Sequence, residues 1–148
     1  MKHTPQELLN SFIENRNRTD IDTLNTKMTP RVIAFDEQKQ SVKLGFPIRE
    51  WQLNPLNNIH GGIIATAADS TMGCLPYIFS EGHDGPTIQM SLNYVAPAAA
   101  GDELIVEAAV DHLGHRISQT HCTVYSRDTG RVVATAHASF LVSGKSAD

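Results

Sequence analysis

The chain holds one long apolar segment, Gly62 to about Ser80, and everything after Thr87 carries strand pattern. Together these limit the fold to one main helix packed on an antiparallel sheet. Ala65, Ala67, Ala68 and Gly73 make the segment a helix rather than a strand, since alanine is the best helix former. Small residues let neighbours approach from all sides, so the helix is expected to be buried. Pro76 lies inside it and is expected to kink or shorten it, because proline lacks a backbone donor and crowds the preceding turn.

The remaining elements follow from periodicity. Thr4-Pro5-Gln6-Glu7 has the form of a capping box with proline at the first helical position. Leu8, Leu9, Phe12 and Ile13 form an apolar stripe, so a short helix is expected over roughly Pro5 to Asn15. The segment Thr23 to Met28 is ambiguous. Val32 to Phe35 and Val42, Leu44, Phe46 read as the two strands of a hairpin turning through Asp36 to Gln40. Four strand segments then follow, one from Thr87 to Tyr94 and three joined by short turns at Gly114 and at Asp128 to Gly130. A sheet wrapped round one helix is an α+β layout.

Bulk properties exclude several classes. At 148 residues the chain is long enough for one domain with a real core. A net charge of -4 argues against a nucleic-acid surface, and no run is long enough to span a membrane. The N-terminus lacks the apolar core of a secretory signal. Cys74 and Cys122 supply no disulfide framework, so a reduced, cytoplasmic setting is the default. The seven histidines lack zinc-ligand spacing, so no metal is expected. No Gly-x-Ser-x-Gly elbow, dinucleotide fingerprint or P-loop is present, and no cofactor is expected.

The chemistry concentrates between Asn54 and Asp69. His60-Gly61-Gly62 stands at the mouth of the apolar helix, where unpaired backbone N–H groups meet the positive helix end. Such a turn is either a plain helix start or a receptor for a developing oxyanion. Asp69 is a carboxylate in an apolar helix pattern. It is either satisfied by a neighbour such as Thr66 or Ser70, or it is a base or nucleophile tuned by its setting. Eight positions of helix separate Gly61 from Asp69, about 12 Å at 1.5 Å per residue. If both act on one substrate, the Asp comes from a second copy of the chain, and a dimer is required. Asn54 and Thr87 carry polar groups that suit either a turn and a strand or a site.

The set Asn54, His60-Gly61-Gly62 and Asp69 resembles the hotdog-fold acyl-CoA thioesterases of the phenylacetic-acid-degradation type. The likeness runs from about Arg31 to Val142. It includes Asn93-Tyr94-Val95-Ala96-Pro97, Gly101-Asp102-Glu103-Leu104, Gly114-His115-Arg116 and Thr129-Gly130-Arg131-Val132-Val133-Ala134. It implies a long antiparallel sheet round the central helix over 30–143, with an N-terminal helical extension over 1–29 and a tail over 144–148. Two such units pair through a continuous sheet in the family, and dimers pair again into tetramers.

The resemblance also implies roles. Gly61 donates its N–H to the thioester carbonyl, His60 shapes the turn, and Gly62 adjoins the substrate. Asn54 holds water or the thioester. The partner's Asp69 acts as base or nucleophile near Thr87. Arg116, with His115, is the candidate for the phosphates of coenzyme A, and Trp51, Tyr77 and Phe79 line the acyl pocket or belong to the core. The expected activity is hydrolysis of an acyl-CoA thioester to an acid and coenzyme A. A non-catalytic acyl-CoA-binding protein and an enoyl-CoA hydratase or dehydratase stand as alternatives.

Overall fold

The computed structural model describes residues 2–142, and the tail expected over 144–148 lies outside the described residues. Helix α1 spans Pro5–Arg16 and α2 Leu24–Met28. Strands β1 (Arg31–Asp36) and β2 (Ser41–Pro47) form the hairpin, and α3 runs Gly61–Phe79. Strands β3 (Thr87–Tyr94), β4 (Glu103–Leu113), β5 (Ile117–Ser126) and β6 (Val132–Leu141) complete one antiparallel sheet in the order β1-β2-β4-β5-β6-β3.

The caps act as the sequence suggests. Thr4 Oγ1 accepts from Glu7 N at 3.2 Å while Glu7 Oε2 accepts from Thr4 N at 2.8 Å, so both orphan donors are satisfied. The ambiguous segment before β1 is a short helix, since Thr23 and Thr26 cap each other.

Pro76 does not end α3. The helix continues to Phe79, and Ser80 N closes it by donating to the Pro76 carbonyl at 2.9 Å. One missing donor near the C-terminal end removes a single bond, and burial of Pro76 among apolar neighbours offsets it.

The core lies between α3 and one face of the sheet. Ile64, Ala68, Met72 and Leu75 pack from the helix against Leu44, Phe46, Leu104, Val106 and Val124. Alternation along the strands sends these side chains inward and leaves polar residues outside. Leu8, Leu9 and Phe12 of α1 are buried in the same core, so the N-terminal helix is packed on the sheet-and-helix unit. Among the described residues no helix is long and apolar enough to cross a membrane.

Glu103 is buried at 6% exposure and is held by Arg31, whose Nε and Nη2 donate to its carboxylate at 2.6 to 3.1 Å. A buried charge is tolerable only with such a partner. The pair ties β1 to β4 across β2, and Gly45 on β2 leaves room for it. A Cβ there would lie 2.6 Å from Glu103 Oε1. The variant Gly45→Ala should therefore disturb the pair and lower stability by about 1–3 kcal/mol. Urea unfolding would read this as a lower midpoint; an unchanged midpoint would show that the pair relaxes freely.

Candidate active site

The helix mouth is held from three sides. The loop before α3 is folded on Asn54, whose Oδ1 accepts from Leu56 N at 2.9 Å and Asn58 N at 3.2 Å. His60 N donates to Gln52 O at 2.7 Å, and Ile59 N to Ala98 O at 2.8 Å, which fixes where the helix begins. His60 is the N-cap. Its Nδ1 accepts from Gly62 N at 3.2 Å, so its other ring nitrogen carries the proton. Its carbonyl accepts from Ile63 N at 2.9 Å and Ile64 N at 3.2 Å.

These bonds take up the mouth's donors one by one and leave Gly61. Among the described residues no acceptor takes the Gly61 N–H. Tyr94, at the end of β3, closes over this residue and donates its hydroxyl to the Gly61 carbonyl at 2.7 Å. A Cβ on Gly61 would stand 3.0 Å from the Tyr94 ring, so the close approach calls for glycine. Asn54, Leu56, Ile59, Ile64, Tyr94 and Pro97 line an apolar-walled cleft of about 390 Å³ beside Gly61.

Asp69 lies elsewhere along α3. Its Oδ1 accepts from Thr87 Oγ1 at 2.8 Å, at the opposite end of β3 from Tyr94. The neighbours weighed from the sequence are engaged otherwise: Thr66 Oγ1 donates to Gly62 O at 2.9 Å, and Arg16 Nε donates to Ser70 Oγ at 3.3 Å. Asp69 is half-buried and lines a cavity of about 180 Å³ with polar walls, rather than an apolar pocket. The cavity also includes Phe12, Arg16, Ser70, Asp84 and Thr87.

One chain therefore brings Asn54, His60, Gly61 and Gly62 together, and pairs Asp69 with Thr87 apart from them. Trp51 sits in a short 3-10 turn, 48% exposed, outside the walls of both cavities. His115 and Arg116 occupy the β4–β5 turn. That turn lies at the Asp69 end of the sheet, because Ser118 and Thr87 both pair with Phe140. Tyr77 packs on Phe12 and Phe79 on Phe35, so both belong to the core side of α3.

Two contributions escaped the sequence reading. Tyr94 is one of an alternating strand series, and nothing in that series marks its reach to Gly61. Arg16 sits on the Phe12 ring at 3.4 Å in an N-terminal helix to which the sequence assigned no role in the site. Burial pushes its guanidinium below its usual proton affinity, while the carboxylate of Asp84 acts in the other direction.

Residues 56–142 match the Thioesterase superfamily, and the chain belongs to that family. Acyl-coenzyme A thioesterase 13 of Mus musculus is 26% identical over 87 residues, 59% of this chain and 62% of that protein. The chain thus spans less than two thirds of that relative's length. A Streptococcus mutans protein solved with acetyl CoA bound is 26% identical, with a TM-score of 0.71 over 86% of this chain and 97% of its own. An E. coli protein from the phenylacetic acid degradation operon shares the fold at 17% identity, with a TM-score of 0.74 over 92% and 96% of the two chains. The hotdog fold expected from the sequence is the fold of this chain.

Neither cysteine offers a nucleophile. Cys74 and Cys122 are buried, and burial pushes both thiols up, that of Cys122 to about 12. A raised thiol stays protonated and unreactive as the pH climbs past the usual range of about 8.5. Alkylation of the native protein should therefore be negligible and flat between about pH 7 and 9, and should accelerate with pH in urea. Fast native labelling at either residue would contradict the burial.

Proposed function

We propose that the chain hydrolyses an acyl-coenzyme A thioester in a site built by two copies of itself. The observation that carries this reading is the unspent Gly61 N–H. Gly61 lines a cleft at a positive helix end, where the backbone donors of His60, Gly62, Ile63 and Ile64 are already used. A thioester carbonyl placed there gains a donor that strengthens as its oxygen takes on negative charge. Membership of the thioesterase family, and relatives named for acyl-CoA hydrolysis or solved with acetyl CoA, support the substrate class.

The second group needed is a carboxylate, and the sheet edge suggests its source. Strand β3 is an eight-residue edge paired only with β6, and Thr87–Tyr94 carries no charge. Ile88 and Tyr94 are 53% and 58% exposed. Proteins protect such edges with charge, proline or a cover, because unpaired backbone groups recruit another strand. Two copies of β3 paired antiparallel about a two-fold axis set Thr87 opposite the partner's Tyr94. The partner's Asp69, held by its Thr87, then approaches the mouth held by Tyr94, and two equivalent sites form together.

In this site Asn54, which lines the cleft and whose oxygen is held by the loop, orients the water or the thioester through its amide nitrogen. The partner's Asp69 takes a proton from water as it adds to the carbonyl carbon, or attacks that carbon itself and is released by water. In either case the C–S bond breaks as the adduct of water or of Asp69 collapses, in the second case before water hydrolyses the acyl–Asp69 anhydride. The sulfur takes up the proton that the water gave up and leaves as the coenzyme A thiol. Arg116 and His115 stand at the Asp69 end of the sheet, which this pairing brings to the partner's cleft, and they meet the phosphates of coenzyme A.

Two variants test this by thiol release from acyl-CoA. Asp69→Asn should lower kcat by about 10²- to 10⁴-fold. Gly61→Pro deletes the one N–H at a position where proline suits a helix start, and Gly61→Ala, which sets the same Cβ 3.0 Å from the Tyr94 ring but keeps the N–H, is the control for that crowding. His60 already has the extended backbone, ψ 135°, that a following proline requires. Its loss should be about 10²- to 10³-fold. Wild-type rates in either folded variant would remove that residue from the mechanism, and acyl-CoA binding without turnover by the wild type would make this a binding protein.

A further inference from the structure

Two consecutive glycines open α3, and the donor of the proposed site is the first of them. That is the least constrained place in the helix. The N–H groups of a first turn have no intrahelical acceptors, and glycine, without a Cβ, reaches more of φ and ψ than any other residue. An oxyanion donor works only if it is already in place before charge develops on the carbonyl oxygen. Gly61 therefore needs restraint from outside its own turn.

The restraint can be followed peptide by peptide. The N–H of Gly61 shares a plane with the carbonyl of His60, and that carbonyl accepts from Ile63 N and Ile64 N. The carbonyl of Gly61 shares the next plane with the N–H of Gly62, which donates to His60 Nδ1 at 3.2 Å. These partners all belong to the helix start and move with it. Tyr94 does not. Its hydroxyl reaches Gly61 O at 2.7 Å from the last position of β3, 33 residues along the chain. It ties the plane after the Gly61 Cα to the sheet, and its ring covers that Cα so closely that only glycine fits.

Packing alone does not account for the hydroxyl. Tyr94 is 58% exposed, and a phenylalanine would cover Gly61 with the same ring carbons. Nor does the hydroxyl offer the substrate a proton. The one it carries goes to Gly61 O, and only acceptor capacity remains. On the wall of the Gly61 cleft it thus has the place of a brace rather than of an acid. The brace stands on the open sheet edge, where Tyr94 pairs with Ala134 of β6 on one side. A second β3 on the other side would steady the strand end that steadies Gly61.

We propose that Tyr94 is a positioning residue for the hydrolysis. Its hydroxyl fixes the Gly61–Gly62 peptide against the sheet and so keeps the Gly61 N–H in the orientation that meets the thioester oxygen. The inference rests on the thioesterase reading and names the group that holds its donor in line.

Thiol release from acetyl-, hexanoyl- and benzoyl-CoA gives one half of the test. Tyr94→Phe keeps the ring and removes the one donor. It should lower kcat about three- to tenfold, the range for a single neutral hydrogen bond, with KM within about twofold of wild type. In a Gly61→Pro background there is no N–H to hold in line, and Tyr94→Phe should cause no further loss. Amide nitrogen relaxation gives the other half without any turnover. The Gly61 order parameter should be about 0.85 in the wild type and fall toward about 0.6 in Tyr94→Phe, while that of Ala67 in the middle of α3 stays put. An unchanged kcat, the same loss in both backgrounds, or an unmoved Gly61 order parameter would overturn the proposal and leave the thioesterase reading standing. No turnover by the wild type across the three substrates would overturn that reading and, with it, the task given to Tyr94.

Discussion

An α-helix rises about 1.5 Å per residue and cannot bend its own side chains back along its axis. That constraint governs everything proposed for this molecule. Gly61 opens α3 and Asp69 stands eight residues further on, so the helix that carries both keeps them apart. Strand β3 then pins each one separately. Tyr94 holds Gly61 at one end, Thr87 holds Asp69 at the other, and the strand between them extends about 23 Å at 3.3 Å per residue. A single chain therefore presents a donor without its carboxylate and a carboxylate without its donor. The same strand that separates the halves is the uncharged sheet edge through which a second copy would reunite them.

The rest of the fold keeps that edge and that helix in place. The sheet packs one face on α3, and the Arg31–Glu103 pair fastens the outer hairpin to β4. Asp102 does similar work at the far turn, where Ser126 Oγ donates to Oδ2 and the backbone amides of Glu103 and Asp128 donate to Oδ1. A rigid sheet matters because the Gly61 N–H contributes only if it need not move when charge develops on the substrate. The cap made by His60 serves the same end, since it satisfies Gly62 and leaves Gly61 alone.

Much of this was legible in the sequence. The buried helix showed in its alanines, the sheet in its alternation, and the separation of Gly61 from Asp69 in simple counting. The family motifs pointed to the thioesterase class, to which the chain belongs. What stayed hidden were contacts between residues far apart in the chain. The partner of Asp69 is Thr87, while Thr66, one turn away, bonds back to its own helix, as hydroxyls do in helix interiors. Tyr94 belongs to a strand whose pattern reports only which face a side chain takes, not what it touches. Arg16 looked like an ordinary basic residue in a last helical turn, and only the packing of α1 on α3 brings it to the cavity. Pro76 does not cut the helix short, because it sits in the last turn and removes only one donor there.

The central claim is that each site draws on two chains. It is tested most directly by mixing two disabled proteins, one carrying Gly61→Pro and the other Asp69→Asn, under conditions that exchange subunits. A mixed dimer joins the intact Gly61 of one chain to the intact Asp69 of the other and restores one of its two sites. Thiol release from acyl-CoA should then rise far above either parent and approach half the wild-type rate per mixed dimer. Mixed dimers shown to form, yet no more active than their parents, would contradict a shared site.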